Sequence, residues 1–484
     1  MTVDLNILAF PSIGPWTALA VGVYYIVVVM CILVILSENR NPIRSLAWVI
    51  ALLALPGIGI IFYLFFGRSM KGRHMISRHN KRRLLHNFVV RSADMDSLPL
   101  SAAARQLVKL AFSLTKAPLT VNNRIRIFTV GADKFETLLK DLEGARRSIY
   151  LQYYIFNDDE LGTRVADLLI AKAAEGVCVK VIYDHVGSFS ASNRFFRRMK
   201  EGGVDIHPFF RVTFPQLANR INWRNHRKLV IIDNRIGYIG GMNIADRYVR
   251  GLADGGAWRD THFRLEGDIV QNLIYSFAVD WYFLRNPSSD LPLDIPPSGF
   301  RNDCAMQLVT SGPVDSWQNI ALCFLKAISG ARKSIYIQTP YFLPTDTLMN
   351  ALEAAALSKV DVRVMIPSKS DSRLLQLATY SYVTRCLKAG IKVYSYNPGM
   401  LHAKSMTVDE TFTTAGSTNF DFRSFENNFE GNLLIYDRDV NRSMRDIFFR
   451  DLSDCRKLRY SEWKSRPLPQ RMLESLVRLF APLL

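Results

Sequence analysis

The sequence is poor in the residues that usually carry redox or metal chemistry. Six cysteines are scattered along 484 residues, and none forms a C-x-x-C pair or sits at zinc-ligand spacing. That argues against a disulfide framework and a cysteine-held metal, and fits buried thiols in a reducing compartment. Histidine is scarce as well, eight in all, so any pattern that uses it twice stands out. Acid is short relative to base: 43 Asp and Glu against 61 Lys and Arg leave a formal charge of +18. An excess of that size selects polyanionic partners, either nucleic acid or an anionic membrane surface.

Charge is missing altogether from Ile13 to Leu36. At about 1.5 Å per residue, that run crosses a hydrocarbon core about 30 Å thick with some tilt. Ser45 to Phe66 is a second uncharged run, interrupted by Pro56, Gly57 and Gly59. Those residues allow a kink or a re-entrant turn, but two crossings is the simpler reading. The first run lacks a basic leader, and a second apolar run follows it, so a cleaved signal peptide fits poorly. The connecting loop holds only Arg40 and Arg44. The segment after the second run holds Arg68, Lys71, Arg73, Arg78, Lys81, Arg82 and Arg83. The heavier flank is expected in the cytoplasm, with the bulk of the chain. At the other end, Met472, Leu473, Leu476, Leu479 and Phe480 recur at helical intervals. A core-packed terminal helix and a helix lying on a membrane fit that pattern equally.

Between these ends the chain repeats itself. Gly144-Ala-Arg-Arg-Ser-Ile-Tyr-Leu-Gln152 matches Gly330-Ala-Arg-Lys-Ser-Ile-Tyr-Ile-Gln338. Val177 to Tyr183 matches Val360 to Ile366, and Gly203 to Ile206 matches Gly390 to Val393. Helical stretches, Glu160 to Ala174 and Asp346 to Ser358, alternate with these strands, so each half is expected to be an α/β fold. The first half carries an inserted loop around Phe214 to Trp223. The expected division is a membrane region at 1–67, a basic linker at 68–118, α/β domains at 119–300 and 301–460, and an amphipathic tail at 461–484. Two related halves suggest a pseudo-twofold arrangement with one site shared between them.

Each half ends its repeat in the same way. Residues 226–233 read H-R-K-L-V-I-I-D and residues 402–409 read H-A-K-S-M-T-V-D. Small-residue turns follow at the same distance and end in Asn243 and Asn419. The six motif residues His226, Lys228, Asp233, His402, Lys404 and Asp409 are the candidate catalytic set. Read as strands, each motif puts His and Lys on one face and Asp on the other, so the aspartates read as structural anchors. Two imidazoles permit a two-step displacement at phosphorus. One attacks and is esterified, while the other protonates the leaving alkoxide and then deprotonates the incoming hydroxyl. Two lysines balance the equatorial charge. Asn243, Asn419 and Ser417 are candidate phosphate-binding groups. No separate cluster of carboxylates or histidines asks for a metal, and no cofactor is expected.

These doubled motifs resemble the HKD motifs of the phospholipase D superfamily. With the two apolar runs, the chain resembles bacterial cardiolipin synthases of that superfamily. Arg40-Asn41-Pro42, Leu46-Ala47-Trp48, Pro56, Gly59, Tyr63-Leu64-Phe65-Phe66-Gly67 and the C-terminal Leu-Phe-Ala-Pro-Leu-Leu extend the likeness to both ends. The resemblance implies two tandem phospholipase D-like α/β domains behind two transmembrane helices, in the inner membrane of a bacterium. It also implies that His226 is the nucleophile and His402 the acid and base. A downstream carboxylate is expected to orient each histidine, with Asp260 and Glu430, each about thirty residues after a histidine, as candidates. The implied reaction joins two phosphatidylglycerols into cardiolipin and glycerol, so the expected partners are membrane phospholipids and not nucleic acid. Homo-oligomerisation stays open. Hydrolysis by the same site, a nucleic-acid phosphodiesterase and a non-catalytic lipid scaffold are the alternatives.

Weaker candidates remain. Gln152, Gln338, Tyr154 and Tyr341 end repeat strands and could line a cleft, although core packing suits the tyrosines better. Asp246 and Asp421 read as helix caps. His185 and His207 have no counterpart in the repeat and read as ordinary. Arg194, Arg197 and Arg198 read as a solvated helix face.

Overall fold

The computed structural model describes residues 14–37, 42–67, 92–212, 222–285 and 304–481, with short pieces at 75, 291 and 299–302. Outside these fall most of the basic cluster after Gly67, most of the inserted loop and the last three residues. The chain divides into a smaller compact unit, built mainly on residues 1–69, and a larger one from residue 70 onward.

In the smaller unit, Pro15–Ser37 is a 23-residue helix, long and apolar enough to cross a membrane. Most of its apolar side chains are exposed, from Trp16 to Leu36. The second apolar run differs from the expectation of one spanning helix. It is helical over Pro42–Ala54, breaks at Pro56 and Gly57, and restarts at Ile58. Proline has no N–H to continue the ladder, and Gly57 takes a φ of 73° that a side chain would disfavour. A Cβ on Gly59 would lie 2.4 Å from the Ala51 carbonyl oxygen, so only glycine lets the restarted helix fold back this closely. Tyr24 ties the first helix to the second by donating to the Leu52 carbonyl at 2.9 Å.

The larger unit holds two sheets. The strands of the first half are β1 (Asn123–Phe128), β2 (Ser148–Tyr153), β3 (Cys178–Asp184), β4 (Asp205–Phe209), β5 (Arg224–Asn225), β6 (Leu229–Ile232), β7 (Ile236–Gly240), β8 (Ala257–Arg259) and β9 (His262–Gly267). Those of the second half are β10 (Met306–Ser311), β11 (Ser334–Gln338), β12 (Phe342–Leu343), β13 (Asp361–Pro367), β14 (Lys392–Tyr396), β15 (Gly399–Leu401), β16 (Ser405–Val408), β17 (Phe412–Gly416), β18 (Phe420–Asp421), β19 (Asn428–Ile435) and β20 (Cys455–Lys457). The first sheet runs β1-β9-β7-β6-β2-β3-β4. The second runs β10-β19-β17-β16-β11-β13-β14, then β20 at its edge. Strand for strand the order is the same, so the sequence repeat is also a repeat of topology.

Helices cover the sheets, as continuous apolar strands require. All of β2 is buried. Ile149, Leu151 and Tyr153 pack with Val165 and Leu169 of helix Glu160–Ala174. Tyr150 faces the other way, onto Phe277 of helix Val270–Leu284. That second face is a shared core. Ile231 and Phe263 of the first sheet pack in one cluster with Met306, Leu433 and Ile435 of the second. The two halves therefore form one compact unit rather than beads on a string.

Candidate active site

The motif segments are not continuous strands, contrary to the sequence expectation. β6 begins only at Leu229 and β16 only at Ser405. Over 226–228 and 402–404 the chain leaves its own sheet and bonds to the other half. β5 runs parallel to β19, with Arg224 opposite Asn428 and Asn225 opposite Phe429. The His226 N–H then donates to the Phe429 carbonyl at 2.9 Å. In the mirrored exchange, β15 runs parallel to β8, with Leu401 opposite Arg259. The His402 N–H donates to the Arg259 carbonyl at 2.7 Å. Each lysine turns back on its own motif. Lys228 Nζ donates to the His226 carbonyl at 2.5 Å, and Lys404 Nζ donates to that of His402. Those carbonyls, which a ladder would otherwise use, are satisfied by ammonium groups.

This exchange decides which carboxylate meets which imidazole. His226 Nδ1 lies 3.0 and 3.1 Å from the two oxygens of Glu430. His402 Nδ1 lies 2.6 Å from Asp260 Oδ2. Reading each carboxylate with the histidine about thirty residues before it predicts the opposite pairing. The structure crosses the pairs, because the residue before Glu430 pairs with the chain entering His226, and the residue before Asp260 with the chain entering His402. All four side chains are buried, Glu430 and Asp260 completely. Tyr154 stands edge-on to His226 at 4.9 Å, and Trp258 lies 5.2 Å from His402.

Burial sets the charge states. It brings His226 down to about 4, with Glu430 pulling upward and Lys228 and Lys404 pushing down. Burial and Lys404 lower His402 against the pull of Asp260. Burial also holds Lys228 well below the ordinary lysine value, and Lys404 below it, although Glu430 and Asp260 oppose the shift. Burial pushes Glu430 upward, but His226, Lys228 and Ser417 outweigh it and leave the carboxyl below its usual value. Asp260 follows the same pattern through Lys404 and His402. The arrangement is two neutral imidazoles, each held at Nδ1 by a carboxylate, among lysines whose charge lacks solvent. Lys404 Nζ also lies 2.8 Å from His402 Nδ1 and 3.4 Å from its Nε2. With the carboxylates at Nδ1, Nε2 is the nitrogen of each imidazole that faces the chemistry.

The proposed phosphate ligands meet a different fate. Asn243 is occupied at both ends: Oδ1 accepts from the Ile155 N–H at 3.1 Å and Nδ2 donates to the Tyr248 hydroxyl at 2.6 Å. Ser417 donates to Glu430 Oε2 and accepts from the Gly431 N–H at 3.0 Å. It positions the carboxylate that holds His226. Asn428 Nδ2 supports the same carboxylate at 3.2 Å. Of Asn243, Ser417 and Asn419, Asn419 alone keeps a polar side-chain atom, Oδ1, without a partner among the described residues.

Asp233 and Asp409 lie away from the histidines and clasp the repeated Gly-Ala-Arg turn. Asp233 accepts the N–H groups of Arg146, Arg147 and Ser148 at 2.9, 2.7 and 3.0 Å. Asp409 accepts those of Arg332, Lys333 and Ser334 at 3.0, 2.7 and 2.9 Å. Both sit at positive φ, 53° and 51°, which aspartate tolerates better than most residues. Asp421 caps its short helix through the Ser424 N–H at 2.7 Å. Asp246 makes no cap and accepts from the Leu161 N–H at 2.8 Å instead. Tyr341 bonds Asp371 at 2.6 Å rather than a histidine. His207 pairs with Asp205 at 2.7 Å, and His185 accepts from the Val212 N–H at 3.3 Å.

A supporting layer escaped the sequence reading. Gln152 donates to Asp280 at 2.6 Å, and Asp280 also takes Asn225 Nδ2 and Arg227 Nη1 at 2.9 and 2.7 Å. Gln338 donates to Asp451 at 2.7 Å, and Asp451 pairs with Arg259 at 2.8 Å. The two glutamines therefore hold buried aspartates rather than line a cleft. Asp280 is the lone charge in the apolar helix Val270–Leu284, and that isolation was the available signal.

A family model described as "Cardiolipin synthase, PLD-like domain" matches residues 138–281 and 324–452. A second, "Phospholipase_D-nuclease N-terminal", matches residues 26–68. The major cardiolipin synthase ClsA of Bacillus subtilis (strain 168) is 38% identical over 467 residues, covering 94% of this chain and 97% of that protein. A cardiolipin synthase of Listeria monocytogenes serotype 4a (strain HCC23) is 37% identical over 480 residues, covering 95% and 99%. Among solved structures, phosphatidylserine synthase of Haemophilus influenzae Rd KW20 shares the fold with a TM-score of 0.57 at 16% identity. The match covers 78% of this chain and 98% of that one.

Proposed function

The chain belongs to the cardiolipin synthases of the phospholipase D superfamily, and from that membership we propose how its buried site joins two phosphatidylglycerols. His226, unprotonated and held at Nδ1 by Glu430, attacks the phosphorus of the first lipid through Nε2. His402 takes up a proton at Nε2 once the anionic phosphodiester lies beside it. The bond from phosphorus to the headgroup glycerol breaks, and that proton passes to the departing glycerol oxygen. The terminal hydroxyl of the second lipid then attacks the phosphatidyl-histidine and passes its proton to His402. A P–O bond forms, the P–N bond breaks, and cardiolipin leaves. Lys228 and Lys404 lie around both imidazoles and offset the anionic charge at phosphorus. The crossed histidine–carboxylate pairs carry this reading, because they fix both imidazoles in the tautomer that leaves Nε2 for chemistry.

The helix Pro15–Ser37 supports a membrane anchor. The second apolar run completes a hairpin with a kink at Pro56, and the lysines and arginines that follow it hold the catalytic part on the cytoplasmic side. At the other end, helix Leu468–Arg478 packs Val477 inward and leaves Leu468, Met472, Leu473 and Leu476 exposed. That outward apolar stripe favours contact with the bilayer over a core role.

The test is product analysis. Purified protein in phosphatidylglycerol vesicles is expected to form cardiolipin and glycerol in equal amounts, and a His226→Ala variant neither. Phosphatidic acid in place of cardiolipin would make the protein a hydrolase and sink the synthase reading.

A further inference from the structure

The two lipids that enter this reaction each carry a phosphodiester, yet only one is attacked. In the product the two phosphates are joined through a three-carbon bridge. A site that prefers a lipid hydroxyl to water therefore has to hold a second anion close to the first. We propose that Arg224 and Arg423, one from each half, form that second anion site beside His226 and bind the phosphodiester of the acceptor lipid. The proposal rests on the transfer reaction proposed above.

Arg224 precedes His226 by two residues and Lys228 by four. Residues two apart in an extended chain lie about 6.6 Å apart on one face, a span of the order that a glycerol bridge covers. Arg224 is 1% exposed, and its Nε and Nη2 have no partner among the described residues. Its one acceptor is Asp184 Oδ1, 3.4 Å from Nη1. That carboxylate already accepts the N–H groups of Val186, Gly187 and Asn225, at 3.0, 2.9 and 2.9 Å. Buried N–H groups without acceptors are costly, and a guanidinium is the side chain best shaped to close that deficit on a phosphate.

Arg423 comes from the helix Phe422–Glu426, just after the Asn419 turn. It is half-buried and bridged by no carboxylate among the described residues. The helix leads directly into β19, whose first residue, Asn428, lies opposite Arg224, and the charge of Arg423 reaches both Arg224 and Tyr154. Tyr154 connects the pair to the reacting group, because it touches His226 at 4.9 Å and carries Lys228 Nζ 5.3 Å from its ring centre. The feature is confined to one side of the site. Two residues before His402 stands Met400, not a cation. A buried arginine with N–H groups still unpaired among the described residues, on the nucleophile's side, is what directional loading of an acceptor requires.

Competition between acceptors tests this. Full-length enzyme acts on phosphatidylglycerol in the presence of methanol, a neutral acceptor without a phosphate. Cardiolipin and phosphatidylmethanol are then measured together. In Arg423→Gln and in Arg224→Gln, the ratio of cardiolipin to phosphatidylmethanol is expected to fall about tenfold, the effect of losing one charge-assisted hydrogen bond. Arg423→Lys should recover part of it. A ratio unchanged in the Gln variants, whether or not total turnover drops, assigns the arginines a structural role and overturns the proposal. If Arg224→Gln fails to fold, Arg423→Gln alone decides. Wild-type enzyme that makes no cardiolipin overturns the parent reading, and this one with it.

Discussion

At the scale of single residues, the chemistry depends on what holds each imidazole. Asp260 is fully buried and 2.6 Å from His402 Nδ1. Asp260→Asn keeps the volume but removes the charge that selects the tautomer. We expect kcat to fall on the order of 10⁴-fold, as when the orienting carboxylate of a triad becomes an amide, with the Kd for phosphatidylglycerol vesicles little changed. Steady-state kinetics with a binding assay check it. A loss smaller than tenfold would mean that Asp260 only packs. His226 gives a pH prediction. Its pKa falls from the usual 6.5 to about 4, with burial as the main cause. The unfolded chain therefore takes up a proton at a pH where the folded site refuses it. Stability that this site contributes above about 6.5 is lost as pH falls toward about 4. His226, as the proposed nucleophile, stays unprotonated through that window, so the acid limb of kcat/KM assigned to it should lie near 4. A limb near 6.5 that vanishes in no variant of its neighbours would show a solvated His226.

At the scale of elements, the motif aspartates act on stability. Each clasps three backbone N–H groups of the turn that starts a central strand. Asp409→Ala loses those acceptors and puts alanine at a positive φ, a cost of about 2–4 kcal/mol in all. Chemical denaturation should read that loss, while activity per folded molecule stays within about threefold. Wild-type stability with lost turnover would return Asp409 to the chemistry. The terminal helix gives a second test. Met472→Asp with Leu476→Asp should cut turnover in vesicles several-fold yet leave it intact in detergent micelles, where no bilayer has to be met. An equal loss in both would make the stripe part of the fold.

The elements also explain what the sequence could and could not reveal. The repeat, the alternation of strands and helices and the doubled motif were legible, because periodicity and identity between halves are local signals. The strands begin about one residue later than their patterns suggest, with β3 at Cys178 and β13 at Asp361. The crossed pairing was not legible. It depends on β5 and β15, strands of two and three residues whose partners lie in the opposite half. Nothing in Arg224-Asn225 or Gly399-Met400-Leu401 names that partner. The same limit misdirected Asn243 and Ser417, whose polarity suggested a ligand until Tyr248 and Glu430 took their hydrogen bonds. The break in the second apolar run was readable at Pro56 and Gly57, where the helix is interrupted and restarts.

At the scale of the whole molecule, two sheets of equal strand order share one core, and each half supplies the carboxylate that the other half's histidine needs. The catalytic unit is therefore a single composite site. Neither motif is complete within its own repeat. In the proposed mechanism the two histidines take different tasks although their motifs match, and the buried Arg224 on one side marks the difference.

The most direct measurement of this claim is to trap and locate the intermediate. Enzyme quenched during turnover of phosphatidylglycerol labelled at phosphorus is digested under alkaline conditions and its peptides are mapped. An acid-labile phosphatidyl adduct is expected on His226, absent from His402 and abolished in His226→Ala. An adduct on His402, or wild-type turnover with no adduct on either histidine, would contradict it.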